Sequence, residues 1–145
     1  MSNAQEQNQN SSPATSGDTD SDVIAIGAGF AGPGRPPYIR EAGLTLKVFD
    51  KADDIGGTWT WNRYPGAATD SEGYYYCLTF SKEILQEWTW SKRYPGWEET
   101  HRYLHFVADK CDMWTHIQLN TEIVSAEFQD DSAHWLRKTA AGEPF

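Results

Sequence analysis

The chain has 145 residues, enough for one modest domain or part of a larger one. Its formal net charge of −9 excludes nucleic acid and anionic membrane surfaces as main partners, because both need a basic face. Hydrophobic residues at 39% and aromatics at 14% argue against a wholly disordered chain.

Met1 to Asp20 is Gln, Asn, Ser, Thr and Asp with almost nothing to bury, and it reads as a disordered tail. It lacks the charged and apolar regions of a signal peptide. No apolar run reaches the length of a membrane span. Cys77 and Cys111 form no C-x-x-C pair and read as two reduced thiols. A soluble, cytoplasmic protein is expected.

Val23-Ile24-Ala25-Ile26 is a short apolar run bounded by Asp22 and Gly27, the pattern of a strand buried on both faces. A glycine-rich turn, Gly27 to Gly32, follows it. Leu44 to Phe49 is a second apolar run, closed by Asp50. A crossover helix between the two runs would complete a βαβ unit. Pro33, Pro36 and Pro37 fall where that helix should run, and an interior Pro costs about 3 kcal/mol. Gly32 to Tyr38 is therefore not expected to be regular helix, and any helix should start near Tyr38.

Asp53 to Tyr76 has no clear period and reads as long loop with short turns. Glu83 to Trp90 fits a short helix. Glu98 to Trp114 fits a longer one, with Leu104, Val107, Cys111 and Trp114 on one face. Ile117 to Leu119 reads as a third core strand. Glu122 to Phe128 and His134 to Thr139 read as a hairpin, turned at Asp130-Asp131-Ser132. The domain is expected to run from residue 21 to residue 145.

Gly27-Ala28-Gly29-Phe30-Ala31-Gly32 is G-x-G-x-x-G. It follows a strand, and the acidic Asp50 ends the next strand 18 positions after Gly32. That combination is a dinucleotide fingerprint. Gly27 permits the turn out of the strand, Gly29 lets backbone approach a pyrophosphate, and Gly32 lets helix and strand pack closely. A helix start would offer free N–H groups and partial positive charge to the pyrophosphate. Asp50 can accept from both ribose hydroxyls. Its carboxylate repels a 2′-phosphate, so NADP is not expected at this turn.

The stretch Gly56-Gly57-Thr58-Trp59-Thr60-Trp61-Asn62-Arg63-Tyr64-Pro65-Gly66-Ala67 strongly resembles the G-G-T-W-x-W-N-R-Y-P-G-A segment of Baeyer–Villiger monooxygenases. Asp70, Tyr74-Tyr75-Tyr76, Gln86-Glu87-Trp88, Arg102-Tyr103 and Val107-Ala108-Asp109-Lys110 extend the resemblance, which covers about Val23 to Trp135. Ala68-Thr69 and Trp97-Glu98 depart from the common Arg-Cys and Gln-Pro of that family.

The resemblance implies an α/β fold, an incomplete Rossmann-like FAD-binding domain with a β-hairpin near the C-terminus. It implies FAD as cofactor and NADPH as reductant, the latter bound mainly by a part of the enzyme outside this chain. It implies O2 and a small-molecule ketone as substrates, with an ester or lactone as product. Carried over by position, Gly27, Gly29, Ala31 and Gly32 would hold the pyrophosphate and Asp50 the ribose. Thr58 and Trp59 would lie beside the flavin, with Tyr76 close by. Ile123 would contact the adenine end through its backbone. Asp70 matches the active-site aspartate, which lies near the flavin and poises an arginine of the NADP domain. The chain is thus expected to be an N-terminal piece, inactive alone. A related N- or S-oxygenating flavin monooxygenase and a truncated, non-catalytic reading frame are the alternatives.

His101 and His105 sit four apart on a helix, but without the Glu-x-x of zinc proteases, and read as solvated; no metal ligand is assigned. Trp88 and Trp90 read as packing rather than a base-stacking platform.

Overall fold

The computed structural model describes residues 21–32 and 34–142. The expectations for Met1 to Asp20 and for Pro33 lie outside these residues.

The apolar runs form β1 (Val23–Ile26) and β2 (Leu46–Phe49), paired in parallel from Val23↔Leu46 to Ile26↔Phe49. The crossover between them carries α1 (Arg35–Glu41). A second crossover, from β2 to β3 (Ile117–Gln118), holds α2 (Thr58–Trp61), α3 (Lys82–Glu87) and α4 (Trp97–Lys110). β3 pairs parallel to β2, so the sheet order is β1-β2-β3. β4 (Ile123–Gln129) and β5 (His134–Thr139) form a separate antiparallel hairpin. Arg137 of β5 stacks its guanidinium 4.0 Å from the Phe49 ring centroid and ties hairpin to sheet. The fold is α/β, as the sequence indicates.

Helix α1 starts earlier than Tyr38. Its first residue is Arg35, with Pro36 and Pro37 in the first turn. The first four N–H groups of a helix have no intrahelical partner, so prolines there remove nothing, and their fixed φ suits the helix. Pro36 is fully buried. The turn ahead of it is not α-helical: Gly32 N–H donates to Gly29 O and Arg35 N–H to Gly32 O, both three residues back.

Strand β1 is not buried on both faces, since Ile26 is 62% exposed. β2 is the central strand, and Leu46, Val48 and Phe49 are buried there. β1 is an edge, so half of the apolar run lies outside the core.

Helix α4 buries Tyr103, Leu104, Val107 and Ala108. Trp114 does not continue that face. The helix stops at Lys110, and Asp112 adopts a left-handed φ of 52°, which breaks the period. Trp114 lies exposed and donates its indole N–H to Asp109. Ser81 caps α3 through Ile84 N–H, and Trp88, just beyond its end, is extended. Trp88 and Trp90 pack on Tyr103 at centroid distances of 5.2 and 5.0 Å. Lys110 bridges to Glu83 and Glu87 and so holds α3 against α4.

One core cluster joins the sheet to Ile55, Trp59, Leu104, Ala108 and Met113. A second gathers Ile84, Tyr103, Val107 and Cys111, and Phe30 touches both. No helix among the described residues is long and apolar enough to cross a membrane.

Candidate functional site

The glycine turn is fixed from β2. Gly27, at φ 97°, donates its N–H to Phe49 O at 2.7 Å. Ala28 N–H donates to Asp50 Oδ2 at 2.6 Å, and Ala52 N–H to Asp50 Oδ1 at 2.9 Å. Asp50 is buried, and both oxygens are engaged by backbone. Its carboxylate therefore holds the turn to the end of β2, with a further lone pair on each oxygen available. A Cβ on Gly32 would lie 3.1 Å from Ala28 Cα and 3.2 Å from Met113 Cε. Close packing thus favours glycine there.

Among the described residues, nothing accepts from the N–H groups of Gly29, Phe30 and Ala31. Three successive free donors in a turn form a cradle for an anion. These donors belong to the turn, not to a helix end, because α1 starts only at Arg35. The free amides therefore precede the first turn of α1.

A second glycine loop closes on the first. Gly56, at φ 130°, donates its N–H to Ala28 O at 3.0 Å. Gly57 sits at φ 54°, and a Cβ on it would lie 2.9 Å from Gly29 Cα. The two backbones touch, which only glycine at 57 permits. Thr58 opens the single turn α2 and is exposed, whereas Trp59 is buried. Trp59 meets Tyr76 edge-on at 6.0 Å, and Tyr76 meets Phe30 at 5.2 Å. Aromatic rings thus back both loops with apolar surface.

Asn120 N–H donates to Ala52 O and Thr121 N–H to Asp50 O, so the segment leading into β4 runs beside the end of β2. Lys51 pairs with Glu122 at 3.8 Å. A cleft of about 650 Å³ opens here, lined by Lys51, Trp61, Thr121, Glu122, Thr139 and Ala140 among others. Ile123 follows directly and is half-buried.

The structure thus gathers Gly27, Gly29, Gly32, Asp50, Trp59 and Tyr76 around two touching loops. Ala31 is exposed within the turn, and Ile123 stands past the cleft beside Asp50. Asp70 is apart. It is exposed on a segment stitched to the start of α4 by Thr69 N–H to Pro95 O and Trp97 N–H to Ala67 O. Among the described residues, no hydrogen bond or ion pair engages its carboxylate. The sequence reading did not assign Gly56 and Gly57 their steric role, although the paired glycines were a signal. It also read His101 and His105 as solvated. Both face Asp54, with Nε2 at 3.3 and 2.9 Å from its carboxylate oxygens.

The model of the "Flavin-binding monooxygenase-like" family matches residues 20–139. The methyl acetate-forming acetone monooxygenase of Gordonia sp. (strain TY-5) is 47% identical over 122 residues, which is 84% of this chain and 23% of that protein. A phenazine N-monooxygenase of Lysobacter antibioticus is 43% identical over 125 residues, 86% of this chain and 23% of its own length. The structure of an oxidized steroid monooxygenase bound to NADP superposes with a TM-score of 0.82 at 40% identity, over 86% of this chain and 24% of that one. The chain spans about a quarter of the length of these relatives.

Proposed function

Since the chain belongs to the flavin-binding monooxygenase-like family, we propose that its two glycine loops bind FAD and that it serves an NADPH-dependent monooxygenase of Baeyer–Villiger type. The reaction would insert one oxygen atom from O2 beside a ketone carbonyl and give an ester or lactone. The contact of Gly57 with Gly29, beside three free turn amides, carries this reading. It leaves a backbone surface without side chains, against which a pyrophosphate would fit. FAD would supply hydride acceptance from a nicotinamide and activation of O2.

The residues here bind, orient and exclude water. Gly29, Phe30 and Ala31 would donate N–H groups to the pyrophosphate oxygens. Asp50 holds Ala28 and Ala52 in place and would direct its remaining lone pairs at the ribose hydroxyls. Thr58 and the Trp59–Tyr76–Phe30 rings would flank the flavin, the rings with an apolar wall that keeps water away. Ile123 would meet the adenine end. Asp70 would act near the flavin by orienting a cation from elsewhere in the protein. That role rests on its match to the family motif, since its carboxylate stands exposed here. NADPH would bind mainly outside these 145 residues, which hold a single G-x-G-x-x-G turn.

Gly57→Ala tests the reading. The substitution strains a left-handed backbone and drives Cβ into Gly29, so FAD titration followed by flavin fluorescence should show binding lost or weakened more than about tenfold, roughly 1.4 kcal/mol. Equal affinity in the variant would refute the site. In a protein of the relatives' length, Asp70→Ala should slow turnover while FAD stays bound. Unchanged turnover would reduce Asp70 to a surface carboxylate.

A second reading, oxygenation of a ring nitrogen, is supported by the 43% identity to the phenazine N-monooxygenase. Product analysis with a cyclic ketone against an N-heteroaromatic substrate separates the two.

A further inference from the structure

We infer that Asp54, His101 and His105 form a binding site for a divalent first-row transition metal, with Zn2+ the best fit, which clamps α4 to the second glycine loop. Asp54, His101 and His105 take no part in the Gly57–Gly29 contact, so the site stands independently of the flavin reading.

The sequence places two histidines on one face of α4, four residues apart. The fold adds a carboxylate from a distant loop. One ligand atom from each of the three residues lies within 4.8 Å of the others. His101 Nε2 is 3.3 Å from Asp54 Oδ2, and His105 Nε2 is 2.9 Å from Asp54 Oδ1. Ligand atoms held about 2.0–2.2 Å from one tetrahedral zinc stand roughly 3.3–3.6 Å apart, so small side-chain adjustments admit the ion.

A second observation points the same way. Both Nε2 atoms are buried and neither has a hydrogen-bond partner, so the contacts with Asp54 are close but not directional. Two ring nitrogens left in that state are costly. One carboxylate cannot neutralise two imidazolium ions, whereas a dication satisfies two neutral imidazoles and one carboxylate together. Two nitrogens and one oxygen suit zinc and its neighbours, while calcium and magnesium prefer all-oxygen sets. The rings are fixed for the task. They lie 4.7 Å apart, and Trp114 covers His105 at 5.3 Å. The side chains of Asp54 and His105 are 29% and 36% exposed, which leaves an approach from solvent.

The position gives the ion a structural consequence. Asp54 lies two residues before Gly56, and a Cβ on Gly56 would stand 2.8 Å from His101 Cδ2. Gly56 in turn donates its N–H to Ala28 O of the first loop. A metal at Asp54 would therefore hold the second loop against both α4 and the glycine turn.

The test is metal binding by the purified 145-residue chain. Zn2+ alone, titrated against a competing chelator, should bind one ion per chain and raise the melting temperature. Co2+ in its place should give the visible absorption of a low-coordinate nitrogen–oxygen site. Asp54→Asn and His101→Gln should each weaken Zn2+ binding more than roughly tenfold. His116→Gln, outside the cluster, should leave it unchanged. Melting without metal shows whether a variant folds; should His101→Gln fail to, His105→Asn at the more exposed position carries the same comparison. Absence of Zn2+ binding by the folded chain, or full retention in Asp54→Asn and His105→Asn, would overturn the assignment.

Discussion

At the scale of single residues, the chemistry is set by which polar atoms find partners. Tyr103 shows this in the core. Its ring is fully buried and its hydroxyl accepts from Leu78 N–H at 2.7 Å. Burial pushes its phenol up to about 12 from the ordinary value of 10.0. The folded chain then keeps a proton that the unfolded chain releases. This contribution to stability is whole below pH 10.0 and is lost as pH rises from there through about 12. Tyr103→Phe should flatten that alkaline loss, and at neutral pH it should cost about 1–3 kcal/mol because Leu78 N–H loses its acceptor. Urea denaturation on either side of pH 10.0 checks both effects; an unchanged alkaline slope would deny Tyr103 the role. Asp50 was legible in the sequence as the acid closing a strand. That its two oxygens would already hold Ala28 and Ala52 was not, because those bonds depend on how the turn folds back over β2.

At the scale of elements, position within a helix matters more than composition. Three prolines ahead of Tyr38 look prohibitive if the helix is assumed to start at Gly32. With the start at Arg35, Pro36 and Pro37 occupy the turn where no N–H is needed. Pro36 also sits fully buried, so it stabilises by packing and by narrowing the unfolded ensemble. Pro36→Ala should therefore lower stability by about 0.5–1 kcal/mol or more, measurable as a shift in the urea midpoint. A gain in stability would restore the view of these prolines as defects. The period of α4 was readable because Leu104, Val107 and Cys111 repeat at helical spacing. Trp114 fell outside it because the left-handed Asp112 ends the helix, and nothing in the local pattern marks that residue as a break.

At the scale of the whole molecule, the two glycine loops, the three-stranded sheet and the hairpin offer one dinucleotide-type turn, G-x-G-x-x-G at Gly27 to Gly32. Flavin monooxygenation also needs a hydride donor held against the flavin. We therefore expect the 145-residue chain, given FAD, NADPH and a cyclic ketone, to form no lactone above a control without protein. Gas chromatography of the product and NADPH absorbance measure this. Lactone formation would show that these residues hold a reductant site as well. Ile26, Val124, Phe128 and Trp135 are exposed at 62%, 59%, 48% and 62%, on β1 and the hairpin. Apolar surface on edge elements of this kind favours contact with further protein.

The sequence by itself determined the βαβ order, the glycine turn, the acid at the end of β2, the hairpin and the family resemblance. Each of these is written in local spacing or in a contiguous motif, and local sterics and periodicity act over a few residues. The tertiary structure alone decided that Gly57 meets Gly29 and that Asp54 stands between His101 and His105. Those pairings join residues far apart in the chain. They follow from how α4 packs across the loop after β2, through the burial of Leu104 and Ala108 with Ile55 and Trp59. Packing of that kind leaves no periodic mark at the residues it brings together.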